Sequence, residues 1–520
     1  MRAAPRTASD GMSYRLAMEL IASLTPDACG NPLAALSRPP AGAAVVELRA
    51  DLFPDLAPRS AVAACPLPIL FTLRSDQEGG SGPSDPVQRR SRLSAAYEAG
   101  AALLDLELDR DRELMRQLGL DPERVILSWH QASGPSPDLR QVCERLLATP
   151  ARWVKVVPAA TTLDDLEQVL ALHRRFNTGP QGARRLIAMA TGTVGIASRH
   201  LAPLLGPPLT FVAWSDAAPA APGQLTAARL QAVIGHLDGP PQRLFGVVGS
   251  DVSRSLSPAM HAAAYHATGL HYLFLPVSVP SEDELAQLFV PSGEGLFSRV
   301  GLDVGGWAVT TPYKAAAARA ATVQAPRARA AAAANTLVLR PRQVLADNTD
   351  GDGVVAAARI TGIDPRGRSA LVQGTGGAAR GAAVGLQMAG AAVRLRGREP
   401  GQTRRVADEL GVDWCAAGEL PRPAEILVNA TPLGSHPGDN IPFTPAEVRQ
   451  AALVVDLVYG DWPTPLAEMA AARGVPLVDG REVLAHQGYA QFAAFTGRLP
   501  PREAMRAAVA LRPIDSDGWD

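Results

Sequence analysis

Short apolar runs alternate with helix-length segments through about the first 236 residues, the pattern of a parallel sheet with helical crossovers. The runs are Leu16 to Ile21, Val45 to Leu48, Ile69 to Leu73, Leu103 to Leu108, Val125 to Trp129, Trp153 to Val157, Leu186 to Ala190 and Thr210 to Trp214. Eight of them in about 240 residues predict a (β/α)8 barrel.

The pattern breaks at Gly239-Pro240-Pro241 and restarts on a new apolar strand, Leu244 to Val248. The second half is again α/β. Ala370-Leu371-Val372-Gln373 runs into Gly374-Thr375-Gly376-Gly377-Ala378, a strand opening into a glycine-rich turn, so this half divides into a substrate lobe and a Rossmann-like dinucleotide lobe. The expected division is a barrel over 1–239, a substrate-binding lobe over 243–345, a nucleotide lobe over 346–480, and C-terminal helices over 481–513 that return to the substrate lobe. The alanine-rich run from Ala315 to Ala334, broken by Pro326, reads as helix, loop and the start of a strand. The acidic tail Asp515 to Asp520 reads as disordered.

The chain has 520 residues, 47% hydrophobic and 19% charged, and suits a soluble protein of two or three domains. A formal net charge of -1 provides no basic field for nucleic acid and no polybasic membrane patch, so anionic ligands must be met by local arginines and lysines. Cys29, Cys65, Cys143 and Cys415 are widely spaced and suggest neither a disulfide framework nor a metal site. The start, Met1 to Arg6, is basic, but no apolar run of signal-peptide or membrane-span length follows. The expectation is a cytoplasmic protein, with an organelle transit peptide left open.

In a barrel of this kind the polar residues that end apolar runs face one site. Here they are Glu47, Arg49 and Asp51, then Arg74, then Asp105 and Glu107, then His130 and Lys155. Lys155 lies among Val154, Val156 and Val157, so desolvation would favour a neutral amine able to form an imine with a ketone. His130 is the candidate proton shuttle, Glu107 the candidate to orient its ring, and Arg49, Arg74 and Arg199 the candidate carboxylate clamps. The plainer alternative is an outward, solvated Lys155 and a core His130.

The pieces Val46-Glu47-Leu48-Arg49-Ala50-Asp51, Phe71-Thr72-Leu73-Arg74, Asp105-Leu106-Glu107, His130, Val154-Lys155, Gly195 to Arg199 and Ala221-Pro222-Gly223-Gln224 resemble the type I 3-dehydroquinate dehydratases. The resemblance covers nearly all of the first 236 residues. It implies that Lys155 forms a Schiff base with 3-dehydroquinate, that His130 is the acid/base, and that Glu47, Arg49, Arg74, Arg199 and Gln224 bind substrate. Ala220 departs from a usual serine, which removes one hydroxyl contact. The loop Gly79 to Pro83 reads either as a lid or as a plain flexible loop.

In the second half the glycine-rich turn Gly374, Gly376, Gly377 and Ala378 lets a pyrophosphate approach a helix N-terminus. Arg396 and Arg398 stand about twenty residues on, where an NAD enzyme would place an acid, and favour the 2'-phosphate of NADP; Glu399 beside them keeps NAD open. Ser255 and Ser257 are spaced to grip a carboxylate, or else to cap a helix before Pro258. Lys314 and Asp350 form a candidate charged acid/base pair, against a plain surface salt bridge. Thr310, Asn335, Tyr459, Gln487 and Gln491 add polar groups, the two glutamines one helical turn apart.

Ser255-Leu256-Ser257-Pro258, Val309-Thr310-Thr311-Pro312-Tyr313-Lys314, Asn348-Thr349-Asp350-Gly351, Asn429-Ala430-Thr431-Pro432, Asp456 to Tyr459, Thr464-Pro465-Leu466 and the Gln487/Gln491 pair resemble the shikimate dehydrogenase family, across roughly Arg243 to Arg498. That resemblance implies Lys314 and Asp350 as catalytic residues. It implies Ser255, Ser257, Thr310, Asn335, Tyr459, Gln487 and Gln491 around the substrate, and NADP in the glycine-rich cleft with Thr431 beside it. Ala308, Glu399 and Ser435 depart from a usual asparagine, threonine and methionine. Together the two resemblances imply a bifunctional enzyme of the shikimate pathway of aromatic amino acid biosynthesis. The first half would make 3-dehydroshikimate and the second reduce it to shikimate with NADPH, in the order of the fused plant-type enzymes. The alternatives are a quinate-preferring dehydrogenase in the second half, or a ligand-sensing or scaffold protein with one degenerate half.

Overall fold

The computed structural model describes residues 18–511, apart from 133, 135, 181–182, 208, 417–422, 437 and 461–462. The basic start, the beginning of the run from Leu16 and the acidic tail lie outside the described residues.

Eight parallel strands come first: β1 Glu19–Leu24, β2 Val45–Arg49, β3 Ile69–Thr72, β4 Leu103–Glu107, β5 Val125–His130, β6 Trp153–Val157, β7 Leu186–Ala188 and β8 Leu209–Ala213. Their order is β7-β6-β5-β4-β3-β2-β1-β8, a nearly closed barrel; among the described residues no ladder joins β7 to β8. β1 runs three residues later than the apolar pattern predicts, because its lumen-facing Ser23 donates to Glu47 and breaks the apolar run. Side chains alternate with period two. One set, including Val46, Leu48, Val154 and Val156, packs outward under the helices. The other set fills the lumen floor with Ile21, Val45, Leu70, Leu103, Ile126 and Trp153, and the polar residues stand above that floor.

The second sheet holds β9 Arg243–Gly249, β10 Tyr272–Ser278, β11 Val304–Val309, β12 Val323–Gln324, β13 Thr336–Arg340 and β14 Gln343–Asp347, in the order β10-β9-β11-β13-β14-β12. The alanine-rich run forms a helix over Lys314–Ala320, then β12, then a second helix from Pro326 to Ala331. Pro326 therefore starts a helix rather than ending one, its fixed φ suiting the first turn. The third sheet is fully parallel: β15 Ser369–Gln373, β16 Ala392–Arg396, β17 Asp413–Cys415, β18 Ile426–Asn429, β19 Leu453–Asp456 and β20 Leu477–Val478, ordered β17-β16-β15-β18-β19-β20. The helices Gly480–Thr496 and Arg502–Ala508 pack back on the second sheet and on helix Ser257–Ala267. Among the described residues no helix is long and apolar enough to cross a membrane.

The barrel and the second sheet share one hydrophobic core. Barrel helices Ile196–Leu205 and Ala227–Ile234 lie against β10, an edge strand, and against helix Ser257–Ala267, which shields the edge from pairing with another chain. A polar clasp borders this core. Glu284 accepts from the Leu163 N–H at the start of barrel helix Leu163–Phe176 (2.6 Å), Gln287 donates to Asp164 (3.0 Å), and Arg299 grips Glu167 with two bonds of 2.8 and 2.6 Å. The barrel therefore needs its neighbour to cover apolar surface. A chain truncated after Gly239 is expected to bind the dye ANS and to self-associate in light scattering, unlike the whole chain; a monodisperse, dye-silent barrel would contradict the shared core.

Candidate active sites

In the barrel lumen every strand from β1 to β6 contributes a polar group. Lys155 Nζ lies 2.6 Å from Asp105 Oδ2 and 4.2 Å from the Phe211 ring centroid. Arg74, just past β3, is the hub. Its guanidinium meets Asp105 (2.8 Å), Glu78 (2.9 Å), Glu107 (3.3 Å) and the Ser128 hydroxyl (3.0 Å). Burial alone would raise the Asp105 carboxyl, yet Arg74, Lys155 and Ser128 outweigh it and hold the pKa down at about 2. Lys155 is thus the partner of a carboxylate, and the expected apolar surroundings are not what it meets.

The His130 ring is also not oriented by Glu107, as the sequence suggested. Glu107 is turned toward the Ser75 N–H (2.7 Å) and Arg74, while Nδ1 of His130 faces Glu78 Oε2 at 3.2 Å, the same oxygen that accepts from the His130 N–H. Glu78 sits in the loop after β3, four residues beyond Arg74, where no periodic pattern marks it. Burial together with the cations Arg74, Lys155, Arg49 and Arg199 pushes His130 well below its ordinary value, so the imidazole is neutral. Burial also pushes the Glu78 carboxyl up, helped by Glu107 and Asp105 and opposed by Arg74 and Arg110, to about 8.

The three candidate clamps differ. Arg74 is fully engaged by carboxylates, and Arg49 holds both oxygens of Asp51 (2.9 and 2.7 Å). Arg199 has no carboxylate partner among the described residues: it is buried, its Nε is unpaired, and its Nη1 meets the Met189 sulfur at 3.6 Å. Glu47 accepts from Ser23 (2.5 Å) and Thr72 (2.8 Å), and Gln224 reaches toward Ser23 (3.4 Å) while its carbonyl accepts from the Ala220 N–H (3.0 Å). The Gly79 to Pro83 loop is tied down. Gly80 and Gly82 donate to the carbonyls of Ser75 and Arg74, and a Cβ on Gly80 would lie 2.2 Å from that Arg74 oxygen.

The second cluster lies between the second and third sheets. Lys314 opens the helix after β11, and its Nζ meets Asp350 Oδ2 at 2.5 Å. Asp350 begins helix Asp350–Ile360, and its other oxygen accepts from Asn335 Nδ2 (2.8 Å), which also reaches Thr349 (2.9 Å) and Gln487 (3.2 Å). The Lys314 turn is held by Tyr313 N–H to Thr310 O (2.9 Å), Tyr313 hydroxyl to Val279 O (2.7 Å) and Ala334 N–H to Lys314 O (2.8 Å). Ala308 does not disturb it: that side chain faces the opposite side of the sheet, in an aromatic core. Ser255 Oγ accepts from the Ser257 N–H (3.3 Å), and the Tyr459 hydroxyl meets the backbone of Leu256 between them. Gln491 is turned away from this cluster, its Nε2 donating to Asn335 O (3.0 Å) and Thr336 Oγ1 (3.1 Å).

The glycine-rich turn lies against this cluster, since a Cβ on Gly377 would come 2.6 Å from Lys314 Cβ. Gly376 has nothing within 4 Å of its Cβ direction and caps helix Gly377–Met388 without a side-chain bond, leaving room and free N–H donors for a phosphate. Gly374 needs its glycine, with φ at +126° and Ala430 O close by. Thr431 bonds Asn429 (2.7 Å) in the neighbouring turn. Arg396 is not free for a ligand as expected: it is buried and bonded to Gln373 (2.6 Å), Glu447 (2.6 Å) and Pro442 O (3.0 Å). Arg398 is 95% exposed, 3.9 Å from Glu399.

Comparison with known proteins agrees with this two-site arrangement. Residues 24–239 match the family model of type I 3-dehydroquinase, 247–337 that of the shikimate dehydrogenase substrate binding domain, and 480–510 that of the shikimate 5'-dehydrogenase C-terminal domain. A bifunctional 3-dehydroquinate dehydratase/shikimate dehydrogenase of Arabidopsis thaliana is 30% identical over 493 residues, covering 89% of this chain and 79% of its own. The chain belongs to the bifunctional dehydroquinate dehydratase/shikimate dehydrogenase family. A shikimate dehydrogenase (NADP(+)) of Rubrobacter xylanophilus is 36% identical over 286 residues, 53% of this chain and 98% of that one. A pentafunctional AROM polypeptide of Schizosaccharomyces japonicus is 29% identical across 89% of this chain and 31% of its own.

In this bifunctional chain the buried Glu78 gives the dehydratase half a readable signature. Its folded pKa, about 8, lies above the unfolded value near 4.5, so between those values the unfolded state has released a proton that the folded state keeps. Stability must fall as pH rises through that window. Replacing Glu78 by Gln is expected to flatten the decline in melting temperature between about pH 5 and pH 8; an unchanged slope would contradict the buried, protonated carboxyl.

Proposed function

We propose that the barrel dehydrates 3-dehydroquinate through a Schiff base at Lys155, and that the second half reduces the resulting 3-dehydroshikimate to shikimate with NADP(H). What carries the reading is the presence on one chain of two buried lysine–aspartate pairs in different settings. One has a neutral histidine and an arginine with no carboxylate partner among the described residues, in the barrel lumen. The other stands beside a glycine-rich helix N-terminus.

In the barrel, Arg199 meets the substrate carboxylate, the anion its buried guanidinium lacks. Lys155 passes a proton to the neutral His130 and attacks the ketone carbon, and His130 returns that proton to the carbinolamine hydroxyl, which leaves as water to give the imine. His130, neutral and oriented by Glu78, takes the proton from the carbon next to the imine and returns it to the departing hydroxyl. Hydrolysis of the imine then frees Lys155 and the unsaturated ketone. Glu47, Arg49 and Gln224 line the remaining rim, and the backbone of Ala220, not a side chain there, holds Gln224.

In the second half, Ser255 and Ser257 take the substrate carboxylate, with Tyr459 bracing their segment, and Thr310 completes the wall. Lys314 and Asp350 sit beside the carbonyl to be reduced and deliver a proton to its oxygen, while Asn335 and Gln487 fix the Asp350 carboxylate. Gly374, Gly376, Gly377, Ala378 and Thr431 would hold the dinucleotide, which supplies the hydride when bound. Preference for NADP rests on Arg398 alone, because Arg396 is spent on Glu447 and Gln373.

Borohydride added to a mixture of the protein and 3-dehydroquinate is expected to leave a reduced adduct on the peptide carrying Lys155. Lys314→Ala should keep that adduct yet lose NADPH oxidation by 3-dehydroshikimate. Absence of the adduct refutes the first half of the reading, and undiminished oxidation in Lys314→Ala the second. Arg398→Ala is expected to raise the KM for NADPH about tenfold, roughly 1.4 kcal/mol, while leaving that for NADH in place; equal changes for both cofactors would remove Arg398 from 2'-phosphate recognition.

A further inference from the structure

Behind the Lys314–Asp350 pair lies a polar layer that the reaction as described does not use. Gln491 is 2% exposed, and its Nε2 is spent on Asn335 O and Thr336 Oγ1. Its Oε1 is buried and has no hydrogen-bond partner. His261, on helix Ser257–Ala267, is fully buried and stacked flat on Phe274, ring centroids 4.1 Å apart and planes 3° apart, with Tyr265 and Phe495 at 6.0 Å. Neither ring nitrogen of His261 makes a well-aligned hydrogen bond either; Gln491 is the side chain its ring interacts with, and the buried hydroxyl of Tyr265, one turn on along the same helix, is unpaired too. An unpaired buried acceptor thus faces an unpaired buried ring that carries one N–H. Burial keeps the ring neutral, its pKa pushed down to about 3 with Gln491 opposing.

Orientation matters because a glutamine amide can flip. Turned over, Gln491 would set its oxygen against the carbonyl oxygen of Asn335 and lose that bond, and it could keep Thr336 only by drawing that hydroxyl's hydrogen away from Asn335 Oδ1. The strand position directly across from Thr336 is Ala308, whose methyl gives Gln491 no polar partner. The His261 ring, which already interacts with Gln491, is the group placed to fix the amide.

Resting on the reading of the second half given above, we propose that His261 is a positioning residue for the dehydrogenase. Its N–H donates to Gln491 Oε1, fixing the amide so that Nε2 holds the Asn335 backbone, and the Asn335 side chain in turn holds Asp350 beside Lys314. His261 touches neither substrate nor cofactor.

The test uses the full chain with His261→Phe, which keeps the stacked ring and removes the N–H, and His261→Gln, which keeps an N–H. His261→Phe is expected to lower kcat for NADPH-dependent reduction of 3-dehydroshikimate about tenfold, with the KM for NADPH and the Lys155 borohydride adduct unchanged; His261→Gln should keep at least half the wild-type kcat. Hydrogen exchange of the segment from Asn335 to Asp350, followed by mass spectrometry, should rise in His261→Phe only. Wild-type kcat and exchange in His261→Phe, or equal losses in both variants, overturn the relay. A wild-type chain inert toward 3-dehydroshikimate that still shows the exchange difference would sink the functional reading and leave the relay standing.

Discussion

A lysine ammonium held by one buried aspartate organises each half of the chain: Lys155 with Asp105 at 2.6 Å in the barrel, Lys314 with Asp350 at 2.5 Å between the two lobes. Removing both charges from water is costly, and their attraction offsets that cost only when further groups satisfy the remaining oxygens. Both sites are built to that requirement. Asp105 also accepts from Arg74 and Ser128, and Asp350 from Asn335. Arg74 then needs further acceptors, which brings in the carboxyl oxygens of Glu78 and Glu107, and Glu78 brings in His130. The lumen network follows from one pair, one hydrogen-bond requirement at a time.

The barrel was legible because its parallel strands are covered on both faces and so read as unbroken apolar runs. Lys155, Asp105 and Glu47 stood out for the same reason, as charged residues inside such runs. What the runs conceal is partnership. Glu78 lies in a loop with no periodicity, so its claim on His130 shows only when β3 and β5 are placed side by side. Arg396 looked available because it ends a strand near the glycine turn, but Glu447, 51 positions away, occupies it. Gln487 and Gln491 share a helical face by spacing, yet the helix is buried on several sides and the second glutamine points to the Asn335 backbone.

The junction between halves has the same character. Glu284 gives the N-terminus of helix Leu163–Phe176 a carboxylate, favourable where the helix dipole is positive. That helix follows β6, the strand bearing Lys155. On the other side, Tyr313, next to Lys314, feels Glu284 and Glu282, which together with burial raise its pKa. The segment around Glu284 therefore borders the supports of both lysines, and the shared hydrophobic core keeps it there.

A binding cation is distinguished from a structural one by what it lacks. Arg74 and Arg396 are surrounded by carboxylates and carbonyls, so a ligand would have to compete with partners already in place. Arg199 is as deeply buried but bonds a methionine sulfur and no carboxylate among the described residues, and burial lowers its pKa to about 10, leaving it charged at neutral pH. Such a charge destabilises the empty barrel, since no counterion among the described residues offsets its desolvation. An anionic ligand relieves that penalty on arrival, whereas at Arg74 it would merely replace an existing carboxylate. The unfavourable placement of Arg199 is thereby the source of its affinity for an anionic ligand.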